Sequence, residues 1–278
     1  MMYRLVRVLE ILSVNKQIKV TFLAELLNIS QVTLRRDLAI LEKRGIICRR
    51  HGYVSLDGAD NTGKRLAFNY MIKKRIAKAA VQTIEEGETV MIESGSCCAL
   101  LAEELAIAQK KATIITNSIF IKNYTFGLPG ISLIFLAGFF QPESQVLVGP
   151  LTVKSAENIF TDKFFLGTDG FIPGQAFTCR DHLRAETVVG LSKRAKKVFL
   201  LTESDKFNCR GAYNLLGFDS ITGIFTDDKI PKEAEDSLLK NNVKVNKVPH
   251  AEEKIRWQKF PGLPPVLYKE REGENDLC

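Results

Sequence analysis

VTFLAELLNISQVTLRRDLAILEKRG, residues 20–45, reads as a helix, a tight turn and a second helix that carries Arg35 and Arg36. Val20, Leu23, Ala24 and Leu27 recur at i, i+3, i+4 and i+7, so the first helix has one apolar stripe. Asn28-Ile29 forms the turn. Ser30 suits the N-cap of the second helix, because its hydroxyl can accept a bond from a backbone N–H that the helix leaves unpaired. Leu34, Leu38 and Leu41 face inward, and Gly45 suits the position just past the helix end. With Leu34 inward, roughly 100° per residue turns Val32, Arg36 and Lys43 outward and leaves Arg35 on the flank.

On the C-terminal side, IICRRHGYVSL (46–56) reads as a basic wing. On the N-terminal side, residues 3–13 form an opening helix with Leu5, Val8, Leu9 and Leu12 on one face. The outline is a winged helix-turn-helix. An outward basic helix with Gln31 and Thr33 in its first turn has what reading the major groove of double-stranded DNA requires. The expected DNA contacts are Gln31, Thr33, Arg35, Arg36, Arg49, Arg50 and His51. An isolated Arg-Arg pair reads more readily as a solvated helix face, because charge runs are common on exposed helices. Here the turn, cap, stop and wing agree. Residues 1–56 hold 10 Lys+Arg against 4 Asp+Glu, a net +6, while the whole chain is +7. A basic excess confined to one end is the footprint of a phosphate-backbone partner. No basic amphipathic helix with exposed aromatics points to a membrane surface instead.

The 278 residues, 45% hydrophobic, suggest about two domains. Six cysteines at 48, 97, 98, 179, 209 and 278 show no metal-binding spacing and suit free thiols in a reducing compartment. No cofactor or metal is expected. There is no secretory pattern, and the longest apolar run, ISLIFLAGFF (131–140), is too short to span a bilayer. A cytoplasmic, soluble protein is the expectation.

The domain reading is 1–57 for the winged helix-turn-helix and 58–65 for a linker, over most of which the polar run DGADNTGK (57–64) extends. An α/β sensing domain follows at 66–248, then an irregular tail at 249–278 with Trp257 as a residue to dock it. A single helix is expected over about 66–86, with Ile72, Ile76, Ala80 and Ile84 on its apolar stripe and Lys73, Lys74 and Lys78 on a solvated face. Seven strands are expected: TVMIES (89–94), ATIITNS (112–118), ISLIFLAG (131–138), KFFLGTDG (163–170), KVFLLTES (197–204), ITGIFTDD (221–228) and VKVNKV (243–248). Helical patterns near 96–108, 150–160, 183–195 and 231–240 separate them. Near-continuous apolar strands alternating with helices indicate a parallel sheet covered on both faces.

In such a sheet ligands sit beyond the carboxyl ends of the strands. Five of those ends finish in small polar residues. The most telling is Ser94-Gly95-Ser96-Cys97-Cys98, a strand-to-helix loop that aims backbone N–H groups and a positive helix end at one point, as a phosphate requires. It reads also as an ordinary turn capped by Ser96. Lys206 is a second anion contact, Asp169 an acceptor for hydroxyls, Asn117 and Ser118 neutral donors, and Arg180 a rim residue beside Asp181. Together they describe a sugar-phosphate pocket.

Both halves resemble the DeoR family of bacterial transcription regulators. The N-terminal resemblance rests on LLNISQVTLRRDLAILEKRGIICRRHG (26–52) and covers residues 3–56. The C-terminal one covers about 68–248 and rests on KKRIAKAA, the SGS loop, TNS, LVGP (147–150), LGTDG, LRAETV (183–188) and TESDKF. The resemblance implies a sensor domain similar in fold to ribose-phosphate isomerase that binds a phosphorylated sugar. It also implies a repressor of carbohydrate genes that the metabolite releases from DNA. Three departures stand out. The family's S-G-T-T-T loop here ends in two cysteines. Its Gly-Gly-x-x-Arg run is here Ala137-Gly138-Phe139-Phe140-Gln141, without the arginine. The wing reads HGYV rather than HGGA.

Two other classes stay open at this point. A sugar-phosphate isomerase would need an acid/base pair, for which Asp169 and Glu186 are the candidates. A thiol redox switch would use Cys97-Cys98 at a helix N-terminus. The attached DNA-reading module favours a non-enzymatic regulator, and reading a pseudo-palindromic operator calls for a homodimer or homotetramer.

Overall fold

Every third or fourth residue of the opening segment is apolar, and it forms a helix, α1 (Met2–Val14), whose Leu5, Val8, Leu9 and Leu12 are buried. In the computed structural model, residues 2–15, 17–56, 62–250, 254–258 and 266–270 are described. A short strand, β1 (Ile18–Lys19), leads into α2 (Val20–Leu26) and then α3 (Gln31–Lys43). Ser30 caps α3 as expected: its hydroxyl accepts from the Thr33 N–H at 3.1 Å. At the other end Gly45 takes φ +69, a left-handed turn that disfavours a side chain. The Ile46 N–H returns to the Leu41 carbonyl at 3.0 Å, which satisfies a carbonyl the helix leaves open. In α2 Phe22, not Val20 or Leu27, joins Leu23 and Ala24 in the core. The wing strands β2 (Ile47–Arg50) and β3 (Tyr53–Leu56) pair antiparallel, and β1 joins β3 to give the order β1-β3-β2.

The expected linker falls at 58–61, outside the described residues, and at 62–65, where a helix already begins. The single helix expected over 66–86 is in fact two: α4 (Thr62–Ala67) and α5 (Tyr70–Val81). Asn69 breaks them with φ +53, a conformation asparagine tolerates better than most residues. The chain divides into two compact units, 1–70 with 251–278, and 71–250.

The second unit is built on seven strands, and all seven coincide with expected runs. Its elements in chain order are β4 (Thr89–Ile92), α6 (Ser96–Ile107), β5 (Ala112–Thr116), α7 (Ile119–Thr125) and β6 (Ile131–Phe135). A hairpin follows, β7 (Phe139–Gln141) and β8 (Val146–Val148), then α8 (Pro150–Ser155) and β9 (Thr161–Leu166). Next come β10 (Gly170–Ile172), β11 (Ala176–Cys179), α9 (His182–Ser192), β12 (Ala195–Leu201) and β13 (Tyr213–Gly217). The unit closes with β14 (Gly223–Asp227), α10 (Lys232–Lys240) and β15 (Lys244–Val248). The main sheet is parallel throughout, in the order β15-β14-β12-β9-β4-β5-β6. The chain starts at β4, adds β5 and β6 on one side, then returns to add β9, β12, β14 and β15 on the other. The order therefore reverses between β4 and β9, and a sheet of this kind opens a crevice at that point.

A second, antiparallel sheet, β10-β11-β13, has no counterpart in the sequence reading. Phe171, Phe177, Phe207 and Phe218 form its aromatic core, with ring centroids 5.2–6.2 Å apart. Where an irregular tail is expected from 249, β16 (Lys254–Gln258) pairs antiparallel with β17 (Val266–Glu270). Backbone pairing does not need apolar periodicity, so a short hairpin escapes a reading based on it.

Candidate functional site

In the first unit, Gln31, Val32, Arg35, Arg36 and Lys43 are exposed on α3, while Leu34, Leu38 and Leu41 are fully buried. Asp37, between the two faces, is buried and accepts from Arg4 of α1, Nε to Oδ2 at 2.7 Å. That pair fixes the rotation of α3 about its axis. Thr33 is tied into the cap, its hydroxyl 2.9 Å from that of Ser30. Arg49 is also engaged: its Nε donates to Glu42 at 2.9 Å, Nη2 reaches the same oxygen, and its backbone N–H donates to Oε1 at 3.3 Å. The side-chain bond from Arg49 holds the Glu42 carboxyl below its usual range, against the opposing effect of burial. Arg49 thus clamps the wing to α3. Arg50 and His51 are exposed at the wing turn, where His51 takes φ +49. A groove of about 400 Å³ lies between the first turn of α3 and the wing, lined by Gln31, Arg35, Arg49, Arg50 and His51.

In the second unit, the polar strand ends gather along the carboxyl edge of the main sheet. At β4, Glu93 and Ser94 are buried, and the Ser94 hydroxyl donates to Glu93 at 2.7 Å. α6 then opens with Gly95 at its N-cap and no side-chain cap bond. By contrast Ser118 caps α7 and Asp181 caps α9. The first-turn N–H groups of α6 are left without a side-chain acceptor, next to the positive helix end.

At β9, Asp169 is half-buried. Its Oδ2 accepts from Arg184 Nη1 at 3.2 Å and from the Arg180 N–H at 3.1 Å. Gly170 beside it is required by packing, since a Cβ there would lie 2.4 Å from the Cys209 carbonyl oxygen. Arg184 was not among the expected site residues, yet it is the hub. It donates to Glu93 through Nε at 2.8 Å and Nη2 at 2.9 Å, and to the Ser94 carbonyl at 3.3 Å. Burial acts against its charge, but the Glu93 and Asp169 carboxylates outweigh that and raise its pKa well above the usual value.

Lys73, expected on a solvated face, is buried and pairs with Glu203 at 2.8 Å. Lys74 lies 3.5 Å from Glu104, and only Lys78 of the three is exposed. Lys206 is half-buried on the turn 204–208, and Arg180 is exposed at the rim. Asn117 is buried. Its Nδ2 donates to the Leu147 carbonyl at 2.8 Å, and its Oδ1 has no hydrogen-bond partner among the described residues. Gln141, in the place of the missing arginine, donates to Asp181 at 3.1 Å and so ties the β7–β8 hairpin to the rim loop.

The side chains of Cys97 and Cys98 are buried, and burial is the leading cause that pushes both thiols up. A reactive thiol needs the opposite shift together with access. What these two residues leave open at the start of α6 is their backbone N–H groups. Glu186 does not meet Asp169 either. Two residues along α9 turn it roughly 200° from Arg184, and it lies 3.5 Å from His182 on the exposed face.

A winged helix-turn-helix followed by an α/β unit with a polar crevice at its switch point defines a DNA-binding transcription regulator with a sensing domain. A family model described as the DeoR-like helix-turn-helix domain matches residues 4–58, and one described as the DeoR C terminal sensor domain matches 68–228. The chain belongs to the DeoR family of transcription regulators. It is similar to the L-fucose operon activator of Escherichia coli (strain K12), 30% identical over 213 residues, 74% of this chain and 87% of that one. It is also similar to the lactose phosphotransferase system repressor of Staphylococcus epidermidis, 29% identical over 227 residues, 77% of this chain and 88% of that one. Among solved structures, a ribose 5-phosphate isomerase from Methanocaldococcus jannaschii aligns with a TM-score of 0.35 and 18% identity, over 50% of this chain and 55% of that chain. No described helix is long and apolar enough to cross a membrane.

Proposed function

We propose that this chain represses genes of carbohydrate metabolism in the cytoplasm, binds duplex operator DNA as a homodimer or homotetramer, and leaves it when a phosphorylated sugar enters the second unit. The observation that carries this reading is the uncapped N-terminus of α6 at the β4–β9 switch point, with buried polar groups around it. The phosphate sits on the backbone N–H groups of Ser96, Cys97 and Cys98, which Gly95 leaves open, with Lys206 and Arg180 as flanking cations. Asp169 and the unpaired Oδ1 of Asn117 receive sugar hydroxyls. Ser94 and Ser118 act through Glu93 and the α7 cap. Arg184 is not the anion contact, because two carboxylates already hold it.

On the first unit, Arg36, Arg35 and Arg50 meet phosphates, and Gln31 and His51 lie close to the groove. Thr33 and Arg49 hold the cap and the wing. The names of the relatives support the carbohydrate setting, and the lactose phosphotransferase system repressor supports the repressor sense.

The second unit binds without turnover, since Asp169 is held by an arginine and Glu186 lies on the far face of α9. A thermal-shift screen of the full chain against phosphorylated sugars tests the reading. A ligand at a hundred times its Kd stabilises by about 2.7 kcal/mol, and the same compound should release the chain from DNA. A screen in which no phosphorylated sugar shifts melting removes the sensing half. NMR showing a changed sugar after long incubation, abolished in Asp169→Asn, makes the protein an enzyme.

A further inference from the structure

Val32 is 60% exposed, and among the described residues 4–56 it is the sole large apolar side chain in the exposed class. It is the second residue of α3, and Arg35 and Arg36, three and four positions on, are exposed with it. Ala39 continues the same stripe. Nothing local calls for a valine here. A β-branched residue is a mediocre helix former, and the Ser30–Thr33 cap is complete without it. Thr33, the neighbouring candidate for base contact, has its hydroxyl turned to Ser30 at 2.9 Å. The first turn therefore presents one amide, Gln31, and one branched apolar group, Val32, with guanidinium groups beside them.

In the major groove the apolar feature that a base edge offers is the C5-methyl of thymine. We infer that Val32 packs on a thymine methyl and sets the preference for thymine at one base pair of each half-site. The inference rests on the proposed role of α3 in DNA binding. Arg35 and Arg36 supply affinity through phosphates, which carry no sequence information. Val32 supplies discrimination, since a methyl group has no counterpart on cytosine or uracil.

The test uses the full chain and a pool of randomised duplexes from which the bound sequence is selected. Each thymine of that sequence is then replaced in turn by deoxyuridine, which removes the methyl alone. Wild type should lose roughly 4-fold in affinity at one thymine of each half-site, the value of one buried methyl. Val32→Ala should bind the unmodified site about 4-fold more weakly and lose nothing further at that thymine. Val32→Thr, which keeps one methyl, should fall between. The side chain is exposed, so melting temperatures should be unchanged. The inference is overturned if no deoxyuridine weakens wild type, or if wild type and both variants lose equally at every thymine. A pool that wild type does not enrich overturns the DNA-binding reading itself and the inference with it.

Discussion

Arg184 grips Glu93 with two parallel bonds, Nε at 2.8 Å and Nη2 at 2.9 Å, and both side chains are buried. The pair joins the first turn of α9 to the end of β4, which lies on the other side of β9 from the strand α9 leads into. A cation in the first turn of a helix is opposed by the helix dipole. Arg184 sits there because Glu93 and Asp169 stabilise it more than the dipole disfavours it.

Replacing Arg184 by Ala leaves the buried Glu93 carboxylate uncompensated. The loss should be about 3–5 kcal/mol, read by urea unfolding of the full chain. Equal unfolding midpoints for Arg184→Ala and wild type would show that the pair does not hold the crevice together.

Asp169→Ala removes a hydroxyl acceptor but leaves Arg184 its two bonds to Glu93, and Lys206→Ala removes a half-buried cation. Both variants should fold, bind operator DNA and fail to release it. A ligand shifts an equilibrium only through its differential affinity for the two states. Coupling of about 1–3 kcal/mol changes DNA affinity roughly 5- to 150-fold. Variants that still release DNA at the wild-type ligand concentration would place the pocket elsewhere.

Arg36→Ala and Arg50→Ala should each weaken DNA binding and lower the salt slope by about 1. Arg49→Ala should act differently, since Arg49 is held by Glu42. It should lower the melting temperature as well as the affinity. A salt titration with melting curves separates the two kinds of arginine, and identical behaviour of Arg49→Ala and Arg50→Ala would refute the clamp.

Glu42 has its folded pKa below its ordinary value of 4.5. Its contribution is present in full above that value and is lost as pH falls through the lower, folded one. Glu42→Gln should therefore reduce stability at neutral pH and flatten the fall in melting temperature as pH drops below the ordinary glutamate value of 4.5. The side chains of Arg49 and Glu42 are 33% and 37% exposed, so the effect is small. A wild-type acid limb identical to that of the variant would remove the pair from the account of the wing.

Cys97 and Cys98 are buried, whereas Cys48 and Cys209 are half-buried. Native protein treated with N-ethylmaleimide should be modified at 48 and 209 well before 97 and 98, as mapped by mass spectrometry. DNA affinity should be the same in oxidant and reductant. Rapid labelling of Cys97 would revive the redox reading.

The seven strands of the parallel sheet were legible because they are short runs rich in apolar and β-branched residues, five of them ending in small polar residues. The helix-turn-helix was legible because its cap, stripe and stop lie within 26 consecutive residues. The antiparallel sheet β10-β11-β13 was not. Its third strand joins the other two from more than thirty residues away, and its phenylalanines meet only after folding. The break at Asn69 was hidden because apolar spacing continues across it.

Sequence by itself determined the helix-turn-helix and the strands of the main sheet, that the basic charge gathers at one end, and where most of the strand ends turn polar. These are local consequences of periodicity, capping and composition. Only the tertiary structure decided what the charged side chains do. Lys73 reads as a surface lysine until β12 brings Glu203 within 2.8 Å. Arg184 reads as one more helical arginine until β4 brings Glu93 to it. Arg49 reads as a free cation until the wing folds against Glu42. A buried charge is tolerated only beside its partner, and the partners of Lys73 and Arg184 lie 130 and 91 residues away, at distances along the chain that no local pattern encodes.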